Sequence, residues 1–293
     1  MSYFIQVVVD GLSNGVIYAA LALAIVLVFR STGLINFSQG GMAVLSTFVA
    51  FALVQAGAPV LVGLVVAVLF GFILGAFLER AVMRRFERGD PDTAVVATIA
   101  LLVLLGGVGA LFFGYEPHPF PSLFPNETLG IAGVFVSYRS IGTIIVLVVV
   151  MVLLQLLFRG TKLGLAMRAV ADNPQSSALS GLPVSRLLMI GWGLAAALGA
   201  VAGVLVAPQL FISPNMLDFV LVYALASAIL GGLDSPGGAV VAALFIGVVE
   251  NLAGAYIDFI GDDLKIAVPF IAVIIILIVR PQGLFGRKVV VRV

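Results

Sequence analysis

The 293-residue chain has no cysteine and a single histidine, and each shortage excludes a body of chemistry. Without cysteine there is no disulfide, no thiol nucleophile and no thiolate-held metal. One histidine supplies neither a Ser-His-Asp constellation nor a zinc cluster. Charge is scarce too: 15 Lys+Arg and 14 Asp+Glu make 10% of the residues charged, against roughly one in four in soluble domains. Such a chain cannot cover a water-facing exterior with charge. The net charge of +1 gives no electrostatic footprint for nucleic acid. Most cytosolic enzymes are thereby excluded, and lipid is implied as the partner of most of the surface.

What is abundant is apolar: 62% of residues are hydrophobic and the mean hydropathy is +1.25. A helix needs about 20 apolar residues to cross roughly 30 Å of hydrocarbon. The candidate spans run Val9 to Phe29, Leu34 to Gln55, Pro59 to Leu78, Thr93 to Phe113, Ile141 to Phe158, Leu187 to Ala207, Met216 to Gly232, Gly237 to Tyr256 and Leu264 to Val279. Gly40, Gly41, Gly231 and Gly232 weaken the second, seventh and eighth, which are expected to be broken or re-entrant. The fold class expected is an all-α polytopic membrane protein, one domain over residues 1–293 with about nine transmembrane or partly re-entrant helices. The first 30 residues carry no basic n-region and no evident cleavage site, so the first span is expected to be retained.

Short cytoplasmic loops collect Lys and Arg. Placing the cluster Arg80, Arg84, Arg85 and Arg88 in the cytoplasm and alternating sides puts Arg30, Arg159, Lys162, Arg168, Arg186, Arg280, Arg287, Lys288 and Arg292 there as well. Arg139 and Lys265 alone remain outside. The N-terminus is therefore expected to be extracytoplasmic and the C-terminus cytoplasmic.

The loop 114–140 is the longest extracytoplasmic one. Its opening Tyr115-Glu116-Pro117-His118-Pro119-Phe120-Pro121 has too many prolines for a helix. The β-branched and aromatic residues from Leu129 to Tyr138 around Gly133 predict a small hairpin. Connector and docking surface both fit this loop, and His118 reads as a loop residue. Gly71 with Gly75, and Gly199 with Gly203, have the spacing that lets membrane helices approach closely, within a subunit or across a dimer seam. Tyr18-Ala19-Ala20-Leu21 before Gly40-Gly41, and Tyr223-Ala224-Leu225-Ala226 before Gly237-Gly238, form a faint repeat that a parallel internal duplication would explain.

The cytoplasmic loop 159–186 is punctuated like a short helix. Asn173 is a good N-cap, Pro174 suits the first helical position, Gly181 suits the left-handed turn that ends a helix, and Pro183 blocks continuation. The result is a helix of about two turns, roughly 10 Å long, with Ala178 and Leu179 exposed on one side. Its shape suits insertion into a groove on a partner, and a surface helix capped only for stability is the alternative.

Gln175-Ser176-Ser177, three residues and then Gly181 resembles the E-A-A-x-x-x-G coupling loop of ABC importer permeases, with Gln in place of Glu and Ser in place of both Ala. The lead-in Gly164-x-Ala166-x-Arg168-Ala169 is similar to the permeases of branched-chain amino-acid importers. So are Gly11-Leu12-Ser13-Asn14-Gly15-x-x-Tyr18-Ala19, Leu34-Ile35-Asn36-Phe37-Ser38-Gln39-Gly40, Gly231-Gly232-Leu233-Asp234-Ser235-Pro236-Gly237-Gly238 and Arg280-Pro281-Gln282-Gly283-Leu284-Phe285-Gly286. The resemblance implies a permease subunit in a bacterial inner membrane, without a cofactor of its own. It implies partnership with a second permease in a heterodimer, two ATP-binding cassette ATPases and an extracytoplasmic solute-binding protein. It assigns ATPase coupling to Arg168, Asn173, Pro174, Gln175, Ser177, Ala178, Leu179 and Gly181. None of Lys162, Lys265 or Lys288 follows a G-x-x-x-x-G phosphate loop, so the motor of ATP-driven transport belongs to another polypeptide.

Polar groups in hydrocarbon face a cavity or another helix. Asn14 and Tyr18 share a face of the first span, Asn36 and Gln39 share one at the start of the second, and Glu250 and Asn251 lie in the outer part of the eighth. They are candidates for a polar translocation pathway in which Glu250 meets an ammonium group. Interhelical hydrogen bonding and, for Glu250, snorkelling to the outer interface are the plainer readings. With Glu250 taken as the lone acidic residue within a span, the sequence gives little support to an ion-coupled secondary transporter. Permeases for urea, amides or other small organic solutes fit the same pattern.

Overall fold

The computed structural model describes residues 2–86, 91–131, 134–259, 261, 264–280 and 282–286. Its helices are α1 (Ser2–Thr32), α2 (Gln39–Gln55), α3 (Val60–Ala81), α4 (Pro91–Phe113), α5 (Tyr138–Gly160), α6 (Lys162–Asp172), α7 (Pro174–Leu179), α8 (Val184–Leu210), α9 (Asp218–Gly231), α10 (Pro236–Tyr256) and α11 (Ala267–Val279). A single 3-10 turn, Met83–Arg85, follows α3. The predicted hairpin is present: β1 (Thr128–Ile131) pairs antiparallel with β2 (Val134–Ser137), Thr128 opposite Ser137.

Six helices, α1, α3, α4, α5, α8 and α10, are long and apolar enough to cross a membrane; α2, α9 and α11, at 17, 14 and 13 residues, are apolar but short. This corrects the expectation for the eighth span. α10 runs unbroken for 21 residues because Gly237 and Gly238 fall in its first turn, where the Ser235 hydroxyl accepts the Gly238 N–H at 3.1 Å. The short member is instead the ninth span, whose helix starts only at Ala267. Nor do Gly40 and Gly41 break α2. The helix simply begins late, at Gln39, after the non-helical stretch from Leu34 to Ser38.

A short helix leaves carbonyls unpaired at a depth where water does not reach them. At α9 the chain after α11 supplies the partners: the Leu284 and Phe285 N–H groups donate to the carbonyls of Leu230 and Gly231 at 2.8 and 3.1 Å. Gly232 takes φ +101 and Gly283 φ +79 to bring these segments together.

α1 is the axis of the bundle, flanked by α8, α9 and α10. Its seam with α10 is made by glycine: a Cβ on Gly11 would stand 2.7 Å from the Gly247 carbonyl, and one on Gly15 2.7 Å from the Leu244 Cα. The predicted pair Gly71 and Gly75 admits the α8 backbone at Ala196 and Trp192, and Gly199 and Gly203 lie against Gln39, Ala43 and Thr47 of α2. Both pairs therefore pack helices within this subunit.

Contacts sort the connecting segments to two ends. At one, Gln6 of α1 pairs with the backbone of Phe135, Arg139 donates to Asn126 and to the Pro208 carbonyl, and His118 bridges to Ile212. At the other, Arg30 lies over the Phe158 ring at 4.7 Å, Arg84 reaches Ser185, and α6 packs against α1 and α8.

Candidate functional site

Two constellations stand out: the short helix α7 at the second end, and a polar seam inside the bundle. α6 prepares α7. Thr161 caps α6 by accepting the Gly164 N–H at 3.0 Å, and Gly164 nestles against Leu157 and Phe158 of α5. The apolar face of α6 then buries Met167 and Val170 among residues of α1, α5 and α8. Helix α6 was not anticipated as an element; its amphipathic run Lys162–Asp172 carried the signal, a buried stripe at helical spacing. Arg168 on α6 has a buried Nε with no acceptor among the described residues.

α7 follows with a complete set of caps. The Asn173 side chain accepts the Ser176 N–H at 2.9 Å, and Pro174 occupies the first helical position. At the other end the Leu182 N–H donates to the Ser177 carbonyl and the Gly181 N–H to the Ala178 carbonyl, both at 3.0 Å, with Gly181 at φ +81. That pair of bonds is a Schellman motif. Ser177 turns inward, whereas Gln175 and Ala178 face outward and Leu179 is 91% exposed. Leu179 is thus an open apolar side chain on a helix whose backbone is capped at both ends.

The polar seam joins α1, α9 and α10. The Tyr18 hydroxyl donates to the Glu250 carboxylate at 2.8 Å, and the Asn14 amide to the Asn251 side-chain oxygen at 3.3 Å. Glu250 is 6% exposed, so it does not snorkel. Tyr223 of α9 stacks on Tyr18, rings 4.5 Å apart and 6° from parallel. Tyr223 was legible only as part of the faint repeat, and its place beside Tyr18 is a tertiary fact. The structure brings together Asn14, Tyr18, Glu250 and Asn251, but Asn36 and Gln39 sit elsewhere.

Asn36 is not on a helix at all, so the shared helical face predicted for it with Gln39 does not exist. Its side-chain oxygen instead accepts the Ser38 N–H and hydroxyl at 2.9 and 2.6 Å, organising the chain before α2. Gln39 donates to the Ala195 carbonyl of α8 at 2.8 Å. Both side chains are fully buried, and each keeps one atom without a hydrogen-bond partner among the described residues, Asn36 Nδ2 and Gln39 Oε1. A cavity of about 570 Å³ between α10 and α11 is lined by apolar side chains such as Phe245, Val249, Ile271 and Ile275. It offers a zwitterion no polar group.

Glu250 is also not alone among acidic residues inside helices. Glu79 near the end of α3 is fully buried and paired with Arg84.

A bundle with six helices long and apolar enough to cross a membrane defines a polytopic membrane protein. Residues 7–279 match the family described as branched-chain amino acid transport system / permease component, and the chain belongs to that family. It is 28% identical to the high-affinity branched-chain amino acid transport system permease protein BraD of Pseudomonas aeruginosa, over 99% of this chain and 98% of the relative. It is 29% identical to LivH of Escherichia coli, with the same shares covered, and 29% identical to a probable LivH of Methanocaldococcus jannaschii over 94% of this chain and 91% of that one. Among solved structures, PsaBC from Streptococcus pneumoniae in complex with Fab overlaps with a TM-score of 0.45 at 16% identity, covering 94% of this chain and 91% of that one.

Proposed function

We propose that this chain is the membrane subunit of an ATP-driven importer of branched-chain amino acids in a bacterial inner membrane. Its N-terminus faces the extracytoplasmic side and α7 the cytoplasm. It pairs with a second permease, receives solute from an extracytoplasmic binding protein and is driven by two separate ATPase subunits. The observation that carries the reading is α7 itself, a helix held rigid by its own caps while Leu179 stands almost wholly exposed. Such a helix fits a groove on a motor subunit, with Gln175, Ala178 and Leu179 on the contact side, Arg168 behind it on α6, and Asn173, Pro174, Ser177 and Gly181 fixing its shape. The outward face of the seam, where Asn14, Tyr18, Glu250 and Asn251 meet, together with the buried amides of Asn36 and Gln39, supplies polar groups along the route of a zwitterionic solute.

Reconstitution into proteoliposomes tests the function. Radiolabelled leucine should accumulate only when the ATPases, the second permease and the binding protein are all present with ATP, and the purified chain alone should hydrolyse none. Leucine uptake without the ATPases, or uptake of urea in its place, refutes the reading. Orientation is tested on the same cysteine-free background: the exposed Thr128→Cys should react with an impermeant thiol reagent in sealed cells, and the exposed Ser180→Cys only after permeabilisation.

A further inference from the structure

Glu79 stands near the end of α3 with no exposure to solvent, an expensive place for a carboxylate unless it is paired and hydrogen-bonded. Its pairing is two-pronged: Arg84 Nε donates to one oxygen at 3.2 Å and Nη2 to the other at 2.9 Å. A fork of this kind needs the guanidinium plane aimed at the carboxylate, which Lys cannot reproduce. The aim comes from the backbone. α3 gives way at Val82 to the 3-10 turn Met83–Arg85, which swings Arg84 back beneath the helix it has just left.

The same Nη2 also reaches the Ser185 carbonyl, at 3.4 Å. Ser185 is the second residue of α8, and α8 begins directly after the turn that ends α7. One guanidinium thus spans the end of α3 and the first turn of the helix carrying α7. Further along, Gly71 and Gly75 of α3 lie against the α8 backbone at Ala196 and Trp192, and Gly193 of α8 lies against Phe72. Backbone-to-backbone packing holds the middle of the pair, and the Glu79–Arg84 fork closes its open end beside α7.

We propose that Glu79 and Arg84 are positioning residues for energy coupling: their ion pair, with its carboxylate buried, locks the α7-proximal end of α8 to α3, so that displacement of α7 moves both helices as one body. With the fork broken, the first turn of α8 would flex against α3 and absorb the stroke before it reached Ala195, whose carbonyl holds Gln39 of α2. The proposal rests on the importer reading above, and its test separates the two.

The experiment uses the full transporter in proteoliposomes with Glu79→Gln, Arg84→Lys and the double change Glu79→Gln with Arg84→Gln. The readouts are permease recovered, ATPase co-purified, and leucine imported per ATP hydrolysed. Glu79→Gln and Arg84→Lys should each assemble with the ATPases and still hydrolyse ATP, while leucine per ATP falls about tenfold, because Gln lacks the charge and Lys lacks the planar fork that together make the lock. The double change removes both charges and the desolvation cost but not the need for a lock, so leucine per ATP should stay low while recovery stays normal, as in the single variants. A purely structural ion pair gives the opposite pattern: recovery falls, and every complex that assembles imports leucine at the normal ratio. That result overturns the proposal, as does failure of both single variants to assemble with a double variant that couples normally. If the unaltered complex itself imports leucine without ATP, the importer reading fails instead.

Discussion

At the α1–α10 seam two backbones meet through Gly11, Gly15 and Gly247, and the side chains of Asn14, Tyr18, Glu250 and Asn251 satisfy one another across it. At α7 the opposite holds: almost all of the support is local, from the Asn173 cap and the Schellman turn at Gly181, and Gln175, Ala178 and Leu179 are exposed. The seam is stabilised by what it buries, and α7 by what it completes within its own backbone. Damage to the seam is therefore damage to the fold, whereas a change to the exposed side chains of α7 disturbs little packing within the bundle.

The sharpest way to break this contrast is at Gly247, where any Cβ runs into the backbone at Gly11 and Gly15. Overpacking costs about 1–3 kcal/mol when neighbours can yield, and backbone atoms of a central helix yield least. Gly247→Leu is expected to leave little permease in the membrane, read by immunoblot of the membrane fraction; normal accumulation contradicts the packing.

Next come two changes at α7 that should spare accumulation entirely. Gly181→Val forces a β-branched residue to φ +81, and Leu179→Asp sets a carboxylate into the partner groove proposed for α7, where desolvating it unpaired would cost about 2 kcal/mol or more. Both are expected to reduce leucine uptake at least tenfold, a change of about 1.4 kcal/mol, and to weaken co-purification of the ATPases at unchanged permease level. Full retention of ATPases and uptake in both would leave α7 a helix capped for stability alone.

The smallest effect is expected at Tyr18→Phe, which keeps the stack on Tyr223 and deletes one of the two tyrosine donors to Glu250. Hydrogen bonds between membrane helices contribute about 0.6 kcal/mol on average and up to about 1.7. A carboxylate deprived of a donor belongs near the upper figure. The variant should accumulate with a thermal midpoint lowered by a few degrees in detergent; an unchanged midpoint would show that the hydroxyl bond adds nothing to the seam.

Legibility in the sequence followed the range of the interaction. The apolar runs, the hairpin near Gly133 and each cap of α7 depend on neighbours a few residues apart, and all were readable. Glycine spacing announced close packing at Gly71, Gly75, Gly199 and Gly203, and the same spacing was there to be noticed at Gly11 and Gly15. What misled was depth within a segment: Gly231 and Gly232 looked like interruptions of the eighth span, whereas they close α9 ahead of α10, because a hydropathy run does not mark where one helix ends and the next begins. Asn36 misled for the same reason, being counted into a helix that begins three residues later.

Composition and local pattern by themselves determined that this chain lives in lipid, that it is helical, where α7 starts and stops, and that no phosphate loop lies in it. Transfer of apolar residues out of water and completion of backbone hydrogen bonds are decided residue by residue, so sequence reports them directly. Which helices meet, that Tyr223 lies on Tyr18, that the closing segment caps α9, and that Arg84 ties α3 to the root of α8 were decided only by the tertiary structure. These pairings join positions tens to hundreds of residues apart, and the free energy selecting them arises from packing and from the burial of polar groups against particular partners, a property of the assembled bundle that no window of sequence contains.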